Sequence, residues 1–182
     1  MRLLRIGLLV AFAAITLGAL VLAQQPGDDA SRATQYFNEI NAAPYTDWPF
    51  EPNVPEGFYV GVEPHGMILR TFLNDIALED TQGDESSFSE GAIIVKENHM
   101  PGETDISMME AQAPVEGFDG NLAAVTFMVK VPGYNPEAGN WFWAKMAPDG
   151  AIDAAGKAQG CIACHSQAAE RDYVFNVGPG GN

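Results

Sequence analysis

Cysteine is scarce in this 182-residue chain, which has only Cys161 and Cys164. A disulfide between them would close a very small loop, so a disulfide framework is not what holds the fold together. Basic residues are also few, because nine Lys and Arg stand against 24 Asp and Glu, for a net charge of −15. Such a surface repels nucleic acid and anionic membranes, which excludes a nucleic-acid-binding function. Repeats and low-complexity segments are lacking too, and 47% hydrophobic residues indicate one globular domain of ordinary size.

The first 23 residues have the pattern of an export signal. Residues 1–5 are short and basic, and residues 6–23 are apolar without a charge, ending in the small-residue site Val21-Leu22-Ala23. An uncleaved membrane anchor is the rival interpretation of a run this long, but both imply export, and we expect cleavage and a periplasmic location. Removal of the leader leaves a net charge of about −17, which suits a basic protein partner, although plain solubility explains it as well.

The two cysteines belong to the motif Cys161-Ile162-Ala163-Cys164-His165, close to the C-terminus. A redox dithiol of the thioredoxin type would follow a strand in a βαβ unit, and no such unit precedes this motif. Cys-x-x-Cys-His is the attachment site of c-type haem. On one helical turn both thiols can form thioethers to the haem vinyl groups, while His165 offers a ring nitrogen to the iron from the same side. We therefore predict one covalent haem c per chain, with His165 as the proximal iron ligand.

The group on the other side of the iron cannot follow the motif, because none of the 17 residues after His165 is methionine. A distal ligand must come from upstream, where His65 and His99 are available, although each is also compatible with a loop or capping role. Methionine is more often a core residue than a ligand. The methionine candidates are Met100, Met108, Met109, Met128 and Met146.

The remaining pattern predicts an α+β fold, mainly an antiparallel β-sheet with a few helices, and haem c attached on a short C-terminal helix. We divide the chain into a signal peptide (1–23), an N-terminal helix with a proline-rich extended segment (24–60) and a haem domain (61–182). Helices are predicted at 28–42, 74–78 and about 158–170, strands at 67–73, 91–97, 121–131 and 140–146, an extended connection at 44–66 and an acidic loop at 80–90.

In their order along the chain, several segments resemble the cytochrome P-460 family. The segments are Arg70, "GAIIVKEN" (91–98), "VTFMVKVPGY" (125–134), "GNWFWAK" (139–145) and "GCIACHSQAAERDYVF" (160–175). The resemblance covers residues 61–175 and implies a mainly antiparallel β fold with haem c near the C-terminus. It implies one of two activities. True P-460 enzymes oxidise hydroxylamine at a haem cross-linked to a lysine, whereas the related cytochromes c′-β lack the cross-link and bind nitric oxide at a five-coordinate haem.

Lys96 and Arg70 are the further site residues that the resemblance implies. Lys96 stands in the Val-Lys-Glu context of the family's cross-linking lysine, on a strand whose alternation puts Ile94 and Lys96 on one face. Its other interpretation is a strand-end lysine that reaches solvent. Arg70 matches an arginine of the distal region, where it could hydrogen-bond an iron-bound nitrogen species or instead form a salt bridge to a haem propionate or Asp75.

A distal carboxylate, which serves P-460 enzymes as a proton acceptor, has no clear place in the sequence. Glu97 and Glu103 are candidates only because they are near Lys96, and "AAGKAQG" (154–160), before the haem motif, contains no acid. The first function expected is therefore an exported P-460-type protein that oxidises hydroxylamine and passes electrons to a partner cytochrome. A nitric-oxide-binding cytochrome and a simple electron carrier stay open, and so does a homodimer.

Overall fold

The computed structural model describes residues 28–62, 64–83 and 87–175. The predicted signal peptide lies outside these residues. The described part contains three α-helices, α1 (Asp29–Ala42), α2 (Asp75–Gln82) and α3 (Gln159–His165), with short 3₁₀ helices at Tyr45–Asp47, Pro136–Ala138 and Ser166–Arg171. Its strands are β1 (Tyr59–Val60), β2 (Ile68–Leu73), β3 (Ile93–His99), β4 (Leu122–Lys130), β5 (Trp141–Met146) and β6 (Ile152–Gly156).

All of these strands form one antiparallel sheet, in which each strand pairs with its neighbours along the chain. The central strands β3, β4 and β5 are rich in β-branched and aromatic residues, which suit a sheet covered on both faces. The predicted α+β fold with a mainly antiparallel sheet is confirmed. A helix is also present at the predicted C-terminal position.

One face of the sheet, which we call the core face, carries the main hydrophobic core. Helix α1 covers it, and Asp28 caps this helix by accepting a hydrogen bond from Ala30 N at 2.8 Å. Tyr36 of α1 packs edge-on against Phe142 of β5, with 5.3 Å between the ring centres. The fully or nearly fully buried members include Ala33, Ile40, Phe72, Val95, Val125, Phe142 and Met146.

The opposite face, which we call the cavity face, packs against the helix that carries the haem motif. Its buried residues are fewer, and helix α2 supplies Ala77 to the cluster. Because side chains alternate along each strand, every central strand divides its residues between the two faces. The cavity-face residues include Leu73, Ile94, Met128, Trp141 and Trp143.

The structure differs from the sequence prediction in three places. Helix α2 continues to Gln82, so the first residues of the predicted acidic loop are helical. The predicted extended connection at 44–66 contains a 3₁₀ helix and the two-residue strand β1. Strand β6 was not predicted, because "IDAAG" has one β-branched residue and two alanines. Among the described residues, the helices are all too short or too polar to cross a membrane.

Candidate haem site

A cavity of about 370 Å³ lies between the cavity face and helix α3. This volume is within the range of pockets that hold small molecules and cofactors, roughly 300–1,000 Å³. Most of its wall is apolar, with a few polar groups that converge on the space. The residues used below that line it are Glu51, His65, Thr71, Leu73, Ile94, Lys96, Asn98, Thr126, Met128, Trp143, Lys145, Cys161, Cys164 and His165.

Helix α3 brings the three residues of the predicted haem motif to one wall of this cavity. Cys161, Cys164 and His165 all line it, as expected for residues at i, i+3 and i+4 of a helix. Both cysteines are free thiols and are partly exposed. Burial raises the pKa of the Cys161 thiol, so this sulfur stays protonated as a thiol in the haem-free protein.

His165 has its ring oriented by a backbone carbonyl. Its Nδ1 lies 2.7 Å from the carbonyl oxygen of Tyr173, and since a carbonyl only accepts, Nδ1 must carry the proton. Nε2 therefore keeps a lone pair, which is the arrangement found in metal-binding histidines. Burial lowers the pKa of His165 to about 4, although the Tyr173 hydrogen bond opposes the shift. Trp143 packs against the imidazole, with 4.7 Å between the ring centres.

The segment that supplies this carbonyl is anchored by Asp172. Both Asp172 and Tyr173 have a left-handed backbone, with φ of 54° and 66°. The Asp172 carboxylate pairs with the Lys130 ammonium and accepts a hydrogen bond from Phe88 N, and the Asp172 carbonyl accepts one from Trp141 Nε1 at 2.7 Å. This partly buried ion pair and these hydrogen bonds connect the turn after α3 to β4 and β5.

Lys96 extends from the middle of β3 into the same cavity. In the sheet it lies between Thr71 of β2 and Thr126 of β4. Burial lowers the pKa of its amine, while the negative charge of Glu51 opposes the shift. Ile94 and Lys96 share the cavity face and Val95 packs in the core face, as the strand alternation predicts. Lys96 is therefore directed at the cavity, not at bulk solvent.

Glu51, which the sequence analysis did not identify, is the acidic residue that lines this cavity among the described residues. It lies in the proline-rich segment, where its backbone N–H donates to the Thr71 carbonyl at 3.1 Å. Its side chain is buried and accepts hydrogen bonds from the backbone and the amide of Asn53 at 2.9 and 3.0 Å. Burial raises the pKa of the Glu51 carboxyl, against the effect of the Asn53 hydrogen bonds and of Lys96. Only the chain path, which sequence patterning does not reveal, brings this residue to the sheet.

Arg70 lies on the core face, away from the cavity-lining residues. Its Nε donates to Glu97 Oε2 at 2.6 Å, so the partner is Glu97 and not Asp75. Glu97 also accepts a hydrogen bond from the Tyr45 hydroxyl at 2.8 Å and lies 3.0 Å from His99 Nε2. Burial alone would raise the pKa of Glu97, but the bonds from His99, Arg70 and Tyr45 together lower it to about 2. Nothing tests a distal role for Arg70, which stays a prediction.

The other candidate acids and distal iron ligands lie in different parts of the structure, and only two of those described line the cavity. Glu97 and His99 belong to the core-face cluster just described, and Glu103 is exposed on a loop. Met100 and Met108 are exposed, Met146 is fully buried on the core face, and Met109 packs in a third small cluster. Met128 and His65 line the cavity.

His65 lines the same cavity as the haem motif and lies close to the His165 imidazole. The centres of the His65 and His165 rings are 5.9 Å apart, with an angle of 82° between the ring planes. Burial lowers the pKa of His65 to about 3, helped by the positive charge on Lys96 and opposed by the Asn98 side chain. The His65 imidazole is therefore neutral at physiological pH.

These residues fit a haem c. Two thiols and one imidazole with a free Nε2 share a wall, and the rest of the lining is largely apolar. The buried Trp143 Nε1 has no hydrogen-bond partner among the described residues, which leaves a donor for a carboxylate group such as haem carries. Within those same residues, no group of three or more His, Cys, Asp and Glu side chains is arranged to hold a bare metal ion.

Comparison with known proteins agrees with this site. A search of curated protein sequences finds no match. The family model described as Cytochrome P460 matches residues 45–176, which is most of the chain and includes Glu51, Lys96 and the Cys-x-x-Cys-His motif. This chain belongs to the cytochrome P460 family, a family of c-type haem proteins.

Proposed function

We propose that this c-type haem protein is exported, oxidises hydroxylamine and passes the electrons to another cytochrome. In the proposal, Cys161 and Cys164 hold one haem c per chain and His165 is its proximal ligand. The observation that carries the reaction is that Lys96 and Glu51 converge on the cavity lined by this motif. An amine and a carboxylate in a largely apolar space are a combination suited to proton-coupled chemistry.

Lys96 is proposed to bond covalently to the haem: its neutral amine would replace a hydrogen on a porphyrin ring carbon, and a two-electron oxidant such as a peroxide would take up the two electrons and two protons released. An amine must lose its proton to act as a nucleophile, and burial lowers the pKa of Lys96 in that direction. Its position on the cavity face, between Thr71 and Thr126, holds the amine inside the site. A bond to the porphyrin would change the electronic properties of the iron centre and would fix the orientation of the ring.

Glu51 is proposed to accept protons from hydroxylamine. Oxidation of this substrate removes electrons and protons together, and bound haem iron supplies the electron acceptor. The Glu51 carboxylate lies in the cavity, and the backbone and side chain of Asn53 hold it in place. Burial raises the pKa of the Glu51 carboxyl toward neutral pH, which suits a general base.

The experiment that tests this proposal uses protein matured with haem c and compares wild type with Lys96→Ala. Wild type is expected to carry a second covalent link, visible as haem that stays attached to a Lys96 peptide on mass analysis, and a strongly red-shifted ferrous Soret band. Lys96→Ala should lose both and should lose hydroxylamine oxidation. Lys145→Ala is the matched control, because Lys145 also lines the cavity but is half-exposed and lies 3.4 Å from Asp153.

A nitric-oxide-binding cytochrome is the second candidate, favoured by the apolar lining from Leu73, Ile94 and Met128. The same experiment separates the two functions. An ordinary Soret band and a mass spectrum without a Lys96 link would contradict the hydroxylamine proposal. High nitric oxide affinity without turnover would then identify the second function.

A further inference from the structure

The geometry of the cavity points to a second iron ligand: we propose that His65 binds the haem iron opposite His165 in the resting protein, and that a small ligand must displace it. This inference rests on the proposed haem binding at Cys161, Cys164 and His165. It adds a control on access to the site, since a six-coordinate iron has no free position.

The first support is the distance between the two imidazoles. An imidazole nitrogen lies about 2 Å from a bound first-row metal ion, and the ring centre is about 1 Å further. Two rings bound on opposite sides of one ion therefore have centres about 6 Å apart. The centres of His65 and His165 are 5.9 Å apart, and both rings line the same cavity.

The second support is the protonation state that the neighbours of His65 impose. Thr126 Oγ1 accepts a hydrogen bond from Asn98 Nδ2 at 3.2 Å and donates its own proton to the Lys96 carbonyl at 3.3 Å. His65 Nδ1 lies 3.4 Å from the same oxygen. When Thr126 directs its one proton to the Lys96 carbonyl, its oxygen accepts from His65 Nδ1–H, and in that tautomer Nε2 keeps its lone pair. His65 and His165 thus present the same nitrogen for coordination.

The third support is the loop that carries His65, which is closed tightly at its base. Gly61 N donates to the Met67 carbonyl at 2.8 Å. A Cβ at Gly61 would lie 2.3 Å from the Gly66 carbonyl oxygen, and Gly66 has φ of 122°, so glycine is required at both positions. The neighbouring Val62 and Met67 are exposed, whereas His65 turns inward to the cavity. Among the described residues of this loop, Pro64 and His65 line the cavity, and His65 is the one that can bind a metal ion.

The test compares the spin state of the ferric haem protein in wild type and His65→Ala, by electron paramagnetic resonance and absorption. Wild type should be low-spin and His65→Ala high-spin. If the open form is about 1–10% populated in wild type, His65→Ala should bind cyanide about 10–100-fold more tightly. His65→Met is the second variant, because it keeps a ligand and should stay low-spin with a raised reduction potential. His99→Gln is the control and should leave the spin state unchanged.

The outcomes separate this inference from the proposed function. If the wild type carries covalent haem that is high-spin, or if His65→Ala remains low-spin, the assignment of His65 as a ligand is wrong, while the proposed function is unaffected. A spin change in His99→Gln with none in His65→Ala would overturn that assignment as well. Failure of the wild type to attach haem would overturn the proposed function, and the ligand assignment with it.

Discussion

Two neighbouring residues of β3 have opposite roles because a strand alternates its side chains. Lys96 enters the cavity, where burial lowers the pKa of its amine, whereas Glu97 enters a cluster of donors on the core face. The "VKE" segment alone does not distinguish these environments. Proximity in sequence suggests Glu97 and Glu103 as acids beside Lys96, but in the part of the chain that the structure describes the acid that lines the cavity with Lys96 is Glu51, 45 positions earlier.

In Glu51→Gln, the rate of hydroxylamine oxidation should fall and should no longer rise with pH in the range where Glu51 ionises. The raised pKa means that Glu51 becomes ionised only above the ordinary carboxyl range near 4.5, so the wild-type rate should rise with pH through that raised value. Loss of a general base typically costs on the order of 10²-fold or more in rate. The measurement is the rate of hydroxylamine oxidation between about pH 5 and pH 9, with Glu56→Gln as an exposed control from the same segment.

The same variant has a predicted effect on stability. A carboxyl whose folded pKa is raised contributes stability that is present below its unfolded pKa and is lost as pH rises through the folded pKa. Glu51→Gln should therefore be at least as stable as wild type at pH 7, while its activity falls. If Glu51→Gln is less stable than wild type at neutral pH, the buried Glu51 carboxylate does not lower the stability of the fold, and this prediction is wrong.

At the scale of elements, Arg70 and Glu97 join β2 to β3, and Tyr45 joins this pair to the segment after α1. Arg70 and Glu97 are directly opposite each other in the sheet, and the Arg70 guanidinium lies 4.6 Å from the centre of the Phe58 ring. Tyr45, Glu97 and His99 are buried and Arg70 is partly exposed. Both carboxylate oxygens of Glu97 have partners, because Tyr45 and Arg70 donate to them and His99 lies at hydrogen-bond distance. This cluster therefore stabilises the strand that positions Lys96.

Glu97→Gln should destabilise the fold at neutral pH by about 1.5–3 kcal/mol, the usual worth of hydrogen bonds to a charged group. Because the folded pKa of Glu97 is lowered to about 2, its contribution is present above the unfolded value near 4.5 and is lost as pH falls toward 2. Between pH 4.5 and pH 2, the free energy of unfolding should therefore fall less in Glu97→Gln than in wild type. Urea unfolding from pH 2 to pH 7 measures both effects, and Glu103→Gln, at an exposed site, should behave like wild type.

The elements could largely be predicted from the sequence, whereas the cavity could not. Strands β3, β4 and β5 carry β-branched and aromatic runs, and the haem motif can be recognised by the spacing of Cys161, Cys164 and His165. Strand β6 gives no such signal, since its pairing with β5 depends on backbone hydrogen bonds and not on bulky side chains. The positions of Glu51 and His65 depend on loop paths set by tertiary contacts, which no local pattern encodes.

On the scale of the whole molecule, the sheet separates stability from haem chemistry. The core face is packed by α1 and by aromatic side chains of β2 and β5, and it has no cysteine or haem-motif residue in its cluster. The cavity face supplies Lys96 and other side chains that line a space large enough for a cofactor. Folding of the sheet should therefore depend mainly on the core face, even before haem is attached.

Phe142→Ala tests this separation. Phe142 is fully buried on the core face, with ring centres of Tyr36 and Tyr134 at 5.3 and 5.5 Å, so truncation should cost about 3–5 kcal/mol. The loss should appear in urea unfolding of protein produced without haem, and the absorption spectrum of the haem-loaded variant should match wild type. Ile152→Ala, at a partly exposed position of β6, should change stability by less than about 1 kcal/mol. If wild-type protein without haem shows no cooperative unfolding, the core face does not fold by itself and the separation is wrong, because the haem would then supply part of the hydrophobic core.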